Sequence, residues 1–465
     1  MSILITLLAT LFVLGVLIFF HEFGHFWVAR RFNVRVLKFS FGFGPEIFGI
    51  QKGETRYLIS WVPLGGYVKL AGEESNDLTR KGEPWEFLSK PWWVRILTYF
   101  AGPFMNLILT FILSIIIGVV GVKMPDYPSV IGEIDLKSKV TELKTFEVGD
   151  RIIQIERTPV ETWHQVTEEW RRLLRTNTDS VSIVLQRRGM SLEKKIHLSK
   201  ENDWLSGISP ALGTEIGSVS VGTPAYESGM SDGDRIISLN EKEVNTWREM
   251  RDIIYAHPNK LLKMVVERKG KKINISVIPM PVEMPGRGTV GVIGVSPPQI
   301  SSYTVRLNFF ASVVHGASYT LKMVEVTYSS LFRIVQHPML IRQLGGAISI
   351  VQMSGAYAKK GISDLLNFMA MLSVMLTVVN LLPIPILDGG SIIFCSLEGI
   401  RRKPLKERTQ ALLQQIGLSI LVALVVFTVL NDTWRLQARK TALKKGEKTG
   451  VNSNIKNLPP SAGSR

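Results

Sequence analysis

The sequence contains very little cysteine and comparatively few acidic residues. Cys395 is the single cysteine among 465 residues, so an internal disulfide framework is excluded. The 39 acidic residues are outnumbered by 55 basic ones, which gives a formal net charge of +16. Nucleic-acid-binding proteins usually collect such an excess on one polar module, whereas here the basic residues lie beside apolar runs. We therefore expect contact with membrane lipid and no nucleic-acid partner.

Four apolar segments have about the 20-residue length that a bilayer core requires. The first segment has no basic residues before its apolar core and no small-residue cleavage pattern after it, so we interpret it as a retained helix and not as a signal peptide. The sequence thus predicts a polytopic α-helical membrane protein. Its four transmembrane helices are expected at 3–29, 96–122, 364–386 and 411–431.

Basic residues flank these segments unevenly. They are concentrated in two connections, the one after the first segment and the one between the third and fourth, at Arg30, Arg31, Arg35, Lys38, Arg401, Arg402, Lys403, Lys406 and Arg408. The positive-inside rule makes those connections cytoplasmic and places both termini and the large middle region on the other face. The tail, 435–465, is also basic, which opposes this orientation, but C-terminal charges weigh less than early loops. We expect that tail to be disordered.

The middle region contains an internal repeat. GDRIIQIERTPVETW (149–163) and GDRIISLNEKEVNTW (233–247) agree at eight positions, and strand-like runs follow each copy. Two copies of one α+β module are expected, at 125–210 and 211–298. The modules resemble bacterial PDZ domains, most clearly in the second copy. That resemblance implies capture of peptide C-termini by a Gly-aliphatic loop; alternatively, the modules bind nothing and only shield or space the membrane part.

Residues 299–363 are amphipathic and aromatic, which predicts helices lying along the membrane surface. His315 and His337 fall in this part. Neither has a partner at metal-ligand spacing, so we assign them no chemistry.

The first apolar segment contains HEFGH, an H-E-x-x-H motif formed by His21, Glu22 and His25. Residues four apart lie on one helical face, so both imidazoles can reach one Zn²⁺, and the glutamate can act as a general base. Ionisable groups in a membrane helix are costly to insert and are retained mainly where they face a partner or a wet cavity. Metal-assisted hydrolysis is therefore the favoured interpretation. Arg30 lies about 8 to 14 Å further along the helix, which places the metal near the cytoplasmic side.

Zinc in a catalytic site usually has three protein ligands, so a third ligand is needed. The candidate is Asp388 in NLLPIPILDGG (380–390), directly after Pro383 and Pro385. These prolines should break the third membrane helix, and a broken backbone at membrane depth is tolerated only where it is buried or lines a cavity. A helix-capping role for Asp388 is the alternative.

These motifs and their order resemble the site-2 protease family of intramembrane zinc metalloproteases over nearly the whole chain. The resemblance implies that His21, His25 and Asp388 bind zinc and that Glu22 is the catalytic base. It also implies a bacterial inner-membrane enzyme with its PDZ modules in the periplasm. The implied substrates are single-pass transmembrane segments already trimmed by another protease, such as anti-sigma factor stubs and remnant signal peptides.

Further roles follow from the same comparison. AGPFMN (101–106) and the Asn-Pro-rich stretch match family positions, which implies substrate-holding roles for Asn106, Asn380, Pro383 and Pro385. Both asparagines could instead cap or bridge helices.

Residues 39–70 alternate apolar and polar side chains around glycine turns, which predicts a β-hairpin. The family resemblance implies a re-entrant loop that pairs with an unwound substrate strand, with Gly65, Gly66 and Tyr67 as candidate contacts. A plain structural hairpin is the alternative.

Two other functional classes fit parts of the pattern. A non-enzymatic scaffold would present the two modules and bind no zinc. A zinc or proton transporter would place the histidines on a pathway, but the chain lacks the inverted repeat of membrane segments common in such proteins.

Overall fold

The structure is a computed structural model that describes residues 2–73, 82–134, 141–176, 180–197, 204–220, 222–284, 288–298, 301–336, 345–403 and 407–453. The chain divides into two compact units. The membrane unit comprises Met1–Val122 and Val305–Thr433, and the repeat unit comprises Lys123–Thr304 and Trp434–Arg465.

The described helices are numbered in chain order: α1 Ser2–Arg31, α2 Trp92–Val120, α3 Trp163–Leu173, α4 Pro224–Glu227, α5 Trp247–Tyr255, α6 Phe309–Gln336, α7 Ala347–Lys360, α8 Ile362–Asn380, α9 Asp388–Arg401 and α10 Glu407–Ser453.

The strands are β1 Val36–Lys52, β2 Thr55–Leu70, β3 Val122–Asp126, β4 Ile131–Ile134, β5 Arg151–Ile155, β6 Thr158–Pro159, β7 Ser180–Arg187, β8 Met190–His197 and β9 Ile208–Pro210. They continue with β10 Ser218–Val219, β11 Arg235–Leu239, β12 Lys242–Glu243, β13 Leu262–Arg268, β14 Lys271–Val277, β15 Met280–Met284, β16 Gly288–Val292, β17 Val295–Ser296 and β18 Ser301–Val305.

Four of the described helices are long and apolar enough to cross a membrane, in the segments Ile3–Arg31, Trp92–Val120, Ile362–Asn380 and Arg408–Trp434. They correspond to the four segments expected from the sequence. The third is shorter than expected, because α8 ends at Asn380 and residues 381–387 form turns before α9 begins at Asp388. The prolines at 383 and 385 lie in these turns, where proline cannot supply the N–H groups that a continuing helix needs.

Glycines 389 and 390 allow this break to fold tightly. A β-carbon on Gly389 would lie 2.4 Å from the carbonyl oxygens of Leu381 and Leu382, and one on Gly390 would lie 2.2 Å from the carbonyl oxygen of Ile384. Any larger residue would push the loop away from the first turn of α9. The two glycines of the LDGG sequence therefore determine the position of Asp388 at the start of α9.

The expected hairpin is a mixed sheet of four strand segments made from two long, bent strands, in which 36–43 runs antiparallel to 66–70 and parallel to 55–62. The first half of β1 is central, since Phe39 pairs with Tyr57 on one side and with Val68 on the other. The second half of β1 folds back and pairs with residues 55–60. The order across the sheet is 66–70, 36–43, 55–62 and 46–52, so segment 66–70 forms one edge. The prediction of two strands was too simple, because each strand doubles back within its own length.

Residues 299–363 contain β18, α6 and α7, and their predicted location on the membrane surface stays a prediction. Helix α6 packs lengthwise against α2, with Ser312 beside Gly118 and Gly316 beside Phe111. The buried carboxylate of Asp432 in α10 accepts hydrogen bonds from Gly346 and Ser349 at the start of α7.

The tail differs from expectation, because α10 continues without interruption to Ser453. The sequence after Trp434 is rich in Arg, Leu, Gln, Ala and Lys, which have high helix propensity, so it extends the helix in place of the predicted disorder. Residues 454–465 and His337 lie outside the described residues.

In the repeat unit, the sequence repeat becomes two modules of the same topology. The first contains a sheet of order β6-β5-β7-β8 and the second a sheet of order β12-β11-β13-β14. Each module packs one helix, α3 or α5, over its own apolar core. Both helices begin with a complete capping box, Thr162 with Gln165 and Thr246 with Glu249, which explains the repeated Thr-Trp ending of the motif.

The repeated Gly-Asp has an equally specific structural reason. Asp150 is 1% exposed and accepts two hydrogen bonds of 2.7 Å from the guanidinium of Arg187, at the end of β7. In the second module Asp234 is 0% exposed and accepts two of 2.6 Å from Arg268, at the end of β13. Each aspartate thus ties the start of one strand to the end of another with a bidentate, charge-assisted pair.

Candidate metal centre

Helix α1 carries His21, Glu22 and His25 within its apolar stretch, and it can do so because α2 packs closely against them. A β-carbon on Gly24 would lie 2.2 Å from the carbonyl oxygen of Ala101, so the two helices touch backbone to backbone at this point. His21 and His25 lie one turn apart on α1, with their rings 4.8 Å apart and nearly perpendicular. Both side chains are mostly buried, at 15% and 13% exposure.

Asp388 at the start of α9 completes a three-residue cluster with these histidines. Its Oδ2 lies 3.4 Å from Nε2 of His21, and its Oδ1 lies 3.7 Å from Nε2 of His25. The two Nε2 atoms are 3.3 Å apart. The predicted third ligand is therefore brought to the predicted pair across a sequence separation of more than 360 residues.

The spacing and chemistry of the three residues fit a zinc ion. Zinc bonds to histidine nitrogen at about 2.0–2.1 Å and to carboxylate oxygen at about 2.0–2.2 Å, so two neighbouring corners of its tetrahedron lie about 3.3–3.5 Å apart. Two of the three distances in the cluster, 3.3 and 3.4 Å, have this size, and the third is 3.7 Å. Unprotonated imidazole nitrogens and a carboxylate are all acceptors, and buried acceptors that converge need a cation or a proton between them.

The ring of His25 is oriented for ligation by a backbone contact. Its Nδ1 lies 2.8 Å from the carbonyl oxygen of Thr98 in α2, to which it can only donate. That hydrogen bond fixes the proton on Nδ1 and leaves the lone pair of Nε2 directed at the cluster.

Gly102 in α2 makes room for both rings, and sequence reasoning did not single it out. A β-carbon at this position would lie 2.2 Å from Nε2 of His25 and 2.8 Å from Cε1 of His21. No side chain other than hydrogen fits there without displacing the two predicted ligands. Gly102 lies in the AGPFMN stretch, which the sequence analysis noted, but only Asn106 of that stretch was predicted to have a role.

Helix α9 is held against α2 by a second feature that the sequence did not reveal. Nη2 of Arg95 donates to Oε1 of Glu398 at 2.5 Å, and the side chain of Arg95 is only 8% exposed. Gly399, the next residue along α9, lies directly against the ring of Trp92. These contacts hold the helix that carries Asp388.

Glu22 lies between the cluster and the edge of the sheet. His25 and Asp388 are among its electrostatic neighbours, and the backbone amide of Val68 faces its carboxylate. A β-carbon on Gly66 would lie 3.0 Å from Cγ of Glu22 and 2.9 Å from Cγ2 of Ile18. The edge segment 66–70 thus passes directly beside the predicted base.

The other candidate contacts in β2 support this edge. Gly65 is buried beneath the ring of Phe43, which stacks on Tyr67 with a centroid distance of 6.4 Å. Gly65, Gly66 and Tyr67 therefore belong to one stretch of strand whose shape depends on the two glycines.

The remaining predicted residues fall in different places around His21. The amide of Asn380 lies 3.4 Å from its Nε2, on the cluster side of the ring, whereas the amide of Asn106 lies 3.4 Å from its Nδ1, on the opposite side. Pro383 is exposed and Pro385 is half-buried in the loop that leads to Asp388. His315 lies on α6 beside Tyr319 and takes no part in the cluster.

A metal cluster inside apolar helices, with a carboxylate beside it, defines the class of membrane-embedded metallopeptidases. Comparison with known proteins agrees: the model of peptidase family M50 matches residues 9–424, and the chain belongs to that family. The prediction of a site-2-type membrane zinc metalloprotease is thereby confirmed.

Relatives match over nearly their whole length. The regulator of sigma-E protease RseP of Escherichia coli is 30% identical over 94% of this chain and 100% of its own. The protein of the same name in Salmonella typhimurium is also 30% identical, with the same coverage. A Vibrio cholerae relative that carries the provisional name zinc metalloprotease is 29% identical over 94% of this chain and 100% of its own.

Proposed function

We propose that this protein is a zinc-dependent intramembrane endopeptidase that cleaves the transmembrane segments of single-pass proteins. The observation that carries the proposal is the convergence of His21, His25 and Asp388 beside Glu22, within helices apolar enough to cross a membrane. Buried ionisable groups at such depth are expensive, and hydrolysis is the chemistry that this set of residues serves.

In the proposed mechanism, His21, His25 and Asp388 would hold zinc, and bound zinc would supply the Lewis-acid chemistry that activates water and polarises a carbonyl. Glu22 accepts the proton of the attacking water and later donates it to the leaving amine. The amide of Asn380 lies on the cluster side of His21, where it can contact the reacting peptide bond.

The sheet beside Glu22 supports a way to present the substrate. A transmembrane helix keeps its amides in internal hydrogen bonds, so the scissile bond must be extended before water can attack. Segment 66–70 is an edge strand, and an edge offers backbone donors and acceptors to an added strand. Pairing at Gly66 and Val68 would lay an extended substrate beside Glu22. Tyr67, Gly65, Pro383 and Pro385 would shape the walls of this path.

The substrate class is proposed from the relatives. Two of them are named regulator of sigma-E protease, which supports anti-sigma factor stubs as the proposed substrates. Prior trimming by another protease, and remnant signal peptides as further substrates, are proposed from the resemblance to the site-2 protease family. The two repeat modules are proposed as periplasmic PDZ domains that limit access by bulky ectodomains and could bind peptide C-termini. We propose a bacterial inner-membrane location with the metal centre near the cytoplasmic side, and the basic flanks of the apolar segments support this orientation.

Replacement of the base tests the proposal. We expect Glu22→Gln to abolish cleavage of a model transmembrane peptide while the purified variant retains zinc and its melting temperature, because glutamine keeps the shape of the side chain and cannot take a proton. The matched control is Glu325→Gln, an exposed carboxylate on α6 whose loss should leave cleavage intact. Cleavage by the Glu22 variant at the wild-type rate, or purified active protein without zinc, would contradict the proposed function.

A further inference from the structure

Two asparagine amides lie against opposite sides of the ring of His21, and their surroundings differ. Asn380 is on the Nε2 side and is partly exposed. Asn106 is on the Nδ1 side and is 1% exposed, so a substrate segment has no access to it. The two residues therefore cannot share one role.

The Nδ1 side of His21 has a hydrogen-bonding requirement. When Nε2 of an imidazole binds a cation, Nδ1 carries the ring proton and needs an acceptor, usually a carboxylate, a carbonyl or a water. For His25 the carbonyl oxygen of Thr98 meets this need. For His21 the amide of Asn106, 3.4 Å from Nδ1, is the group in position.

The two orientations of that amide correspond to two tautomers of the ring. With its NH₂ group toward Nδ1, the amide requires the proton on Nε2, where it would block a cation. In that orientation Oδ1 of Asn106 is buried without a hydrogen-bond partner among the described residues. With the amide turned by 180°, Oδ1 accepts from Nδ1–H and the lone pair of Nε2 is free. This rotation leaves the NH₂ group of Asn106 without a partner in place of Oδ1, so neither orientation satisfies more polar atoms than the other. The tautomer of the His21 ring therefore decides which orientation is favoured.

The backbone at Asn106 is held firmly enough for this role. Its carbonyl oxygen accepts a hydrogen bond of 2.7 Å from Oγ of Ser373 in α8 and one of 3.1 Å from Oγ1 of Thr110 in α2. The side chain therefore projects from a fixed point between two helices.

We infer that Asn106 is a positioning residue for the metal centre: its amide oxygen accepts the Nδ1 proton of His21 and keeps Nε2 directed at the cation. This inference rests on the proposed function and replaces the substrate-holding role expected for Asn106. It leaves Asn380, on the other side of the ring, as the asparagine that contacts the substrate.

The experiment compares Asn106→Leu, Asn106→Asp and Asn380→Leu in the purified full-length protein. Zinc affinity is measured by chelator competition on metal-stripped protein, and KM and kcat are measured on a transmembrane peptide at saturating zinc. Loss of an outer hydrogen bond to a ligand histidine typically lowers metal affinity about 10–100-fold. For Asn106→Leu we expect that loss of zinc affinity, with little change in KM. Asn106→Asp keeps an acceptor, so its zinc affinity should lie within about threefold of wild type. Asn380→Leu should bind zinc with wild-type affinity and show an altered KM or kcat.

Two results would overturn the inference. Wild-type zinc affinity in Asn106→Leu with a raised KM would return Asn106 to the substrate. Equal loss of affinity in Asn106→Asp and Asn106→Leu would mean that only packing matters. If leucine prevents folding, Asn106→Ala carries the same test. Failure of the proposed function itself has a different signature, since it would appear in wild-type protein that binds no zinc or in cleavage by Glu22→Gln.

Discussion

Buried aspartates are used in opposite ways in the repeat unit and in the membrane unit. Asp150 and Asp234 are fully buried, and each is matched by a bidentate arginine and by a backbone amide of its own loop. Asp388 is also mostly buried, but its neighbours are the Nε2 atoms of two imidazoles, which are acceptors when the ring proton is on Nδ1. The first arrangement is complete without a ligand, whereas the second acquires its counter-charge only from a proton or a cation.

The comparison shows how a structural carboxylate can be told from a functional one. In both units the aspartate follows or precedes glycine at the start of an element, so the local sequence is similar. What differs is the partner supplied by a distant segment: an arginine at the end of a strand in the modules, and the face of α1 in the membrane unit. Substitutions that disturb one arrangement should leave the other unchanged.

The largest effect is expected from Gly102→Ala. The added methyl group would lie 2.2 Å from Nε2 of His25, so the rings must move and both zinc binding and peptide cleavage should be lost. Alanine is about 1 kcal/mol better than glycine inside a helix, so the intrinsic effect on α2 is favourable and the loss must be steric. Zinc content after purification and cleavage of a transmembrane peptide are the measurements.

Gly118→Ala is the matched control for that substitution. It lies in the same helix, and its β-carbon would meet Ser312 of α6 at 2.7 Å, away from the cluster. We expect a lower melting temperature with zinc retained. Equal zinc loss in both variants would mean that general packing of α2, and not the space around the rings, holds the metal site.

A smaller, purely structural effect is expected from Asp234→Ala. Removing this carboxylate leaves the guanidinium of Arg268 without its main partner, and breaking a buried pair in this way typically costs about 3–5 kcal/mol. We expect about 3 kcal/mol, because the side chain of Arg268 is 20% exposed and water can solvate part of it. Amide hydrogen exchange in β11 and β13 should report the loss, while zinc affinity stays at the wild-type value.

The control is Asp252→Ala, which removes an aspartate that is 51% exposed on α5 of the same module. Substitutions at such surface positions usually change stability by no more than about 0.5 kcal/mol. A similar destabilisation by both variants would show that the buried pair has no special weight.

The candidate metal-binding cluster could be predicted because its residues violate a strong rule. His21, Glu22 and Asp388 are ionisable groups in apolar segments, and the cost of placing them there marks them in the sequence. Gly102 could not be predicted in this way, because glycine is an ordinary residue in an apolar segment. The need for a residue without a side chain becomes clear only when the structure places the two imidazole rings beside it. The pair formed by Arg95 and Glu398 was equally hidden, since its members lie 303 positions apart.

The fold also has parts that the sequence could predict and parts that it could not. Spanning helices and the module repeat follow from local composition and self-similarity, and they were found. The four-stranded sheet was not, because the alternation in 39–70 identifies strands without saying that Phe39 has neighbours on both sides. The contact of α6 with α2 depends on two small residues, Gly118 and Gly316, whose meaning appears only when the helices are side by side.

The smallest effect is a pH dependence confined to the first module. Burial alone would raise the pKa of Asp150, but the hydrogen bonds from Arg187 and from the amide of Glu147 outweigh it and hold the pKa below its ordinary value. The carboxylate therefore contributes stability that is present above the ordinary pKa of aspartate, about 3.9, and that is lost as the pH falls through the lower folded value. Asp150→Asn should destabilise β7 at pH 6, measured by hydrogen exchange. The difference from wild type should shrink as the pH falls below about 3.9, where the unfolded carboxylate takes up a proton, and disappear once the pH is below the lower folded pKa. A difference that persists undiminished at pH 3 would mean that the shape of the side chain, and not its charge, pairs with Arg187.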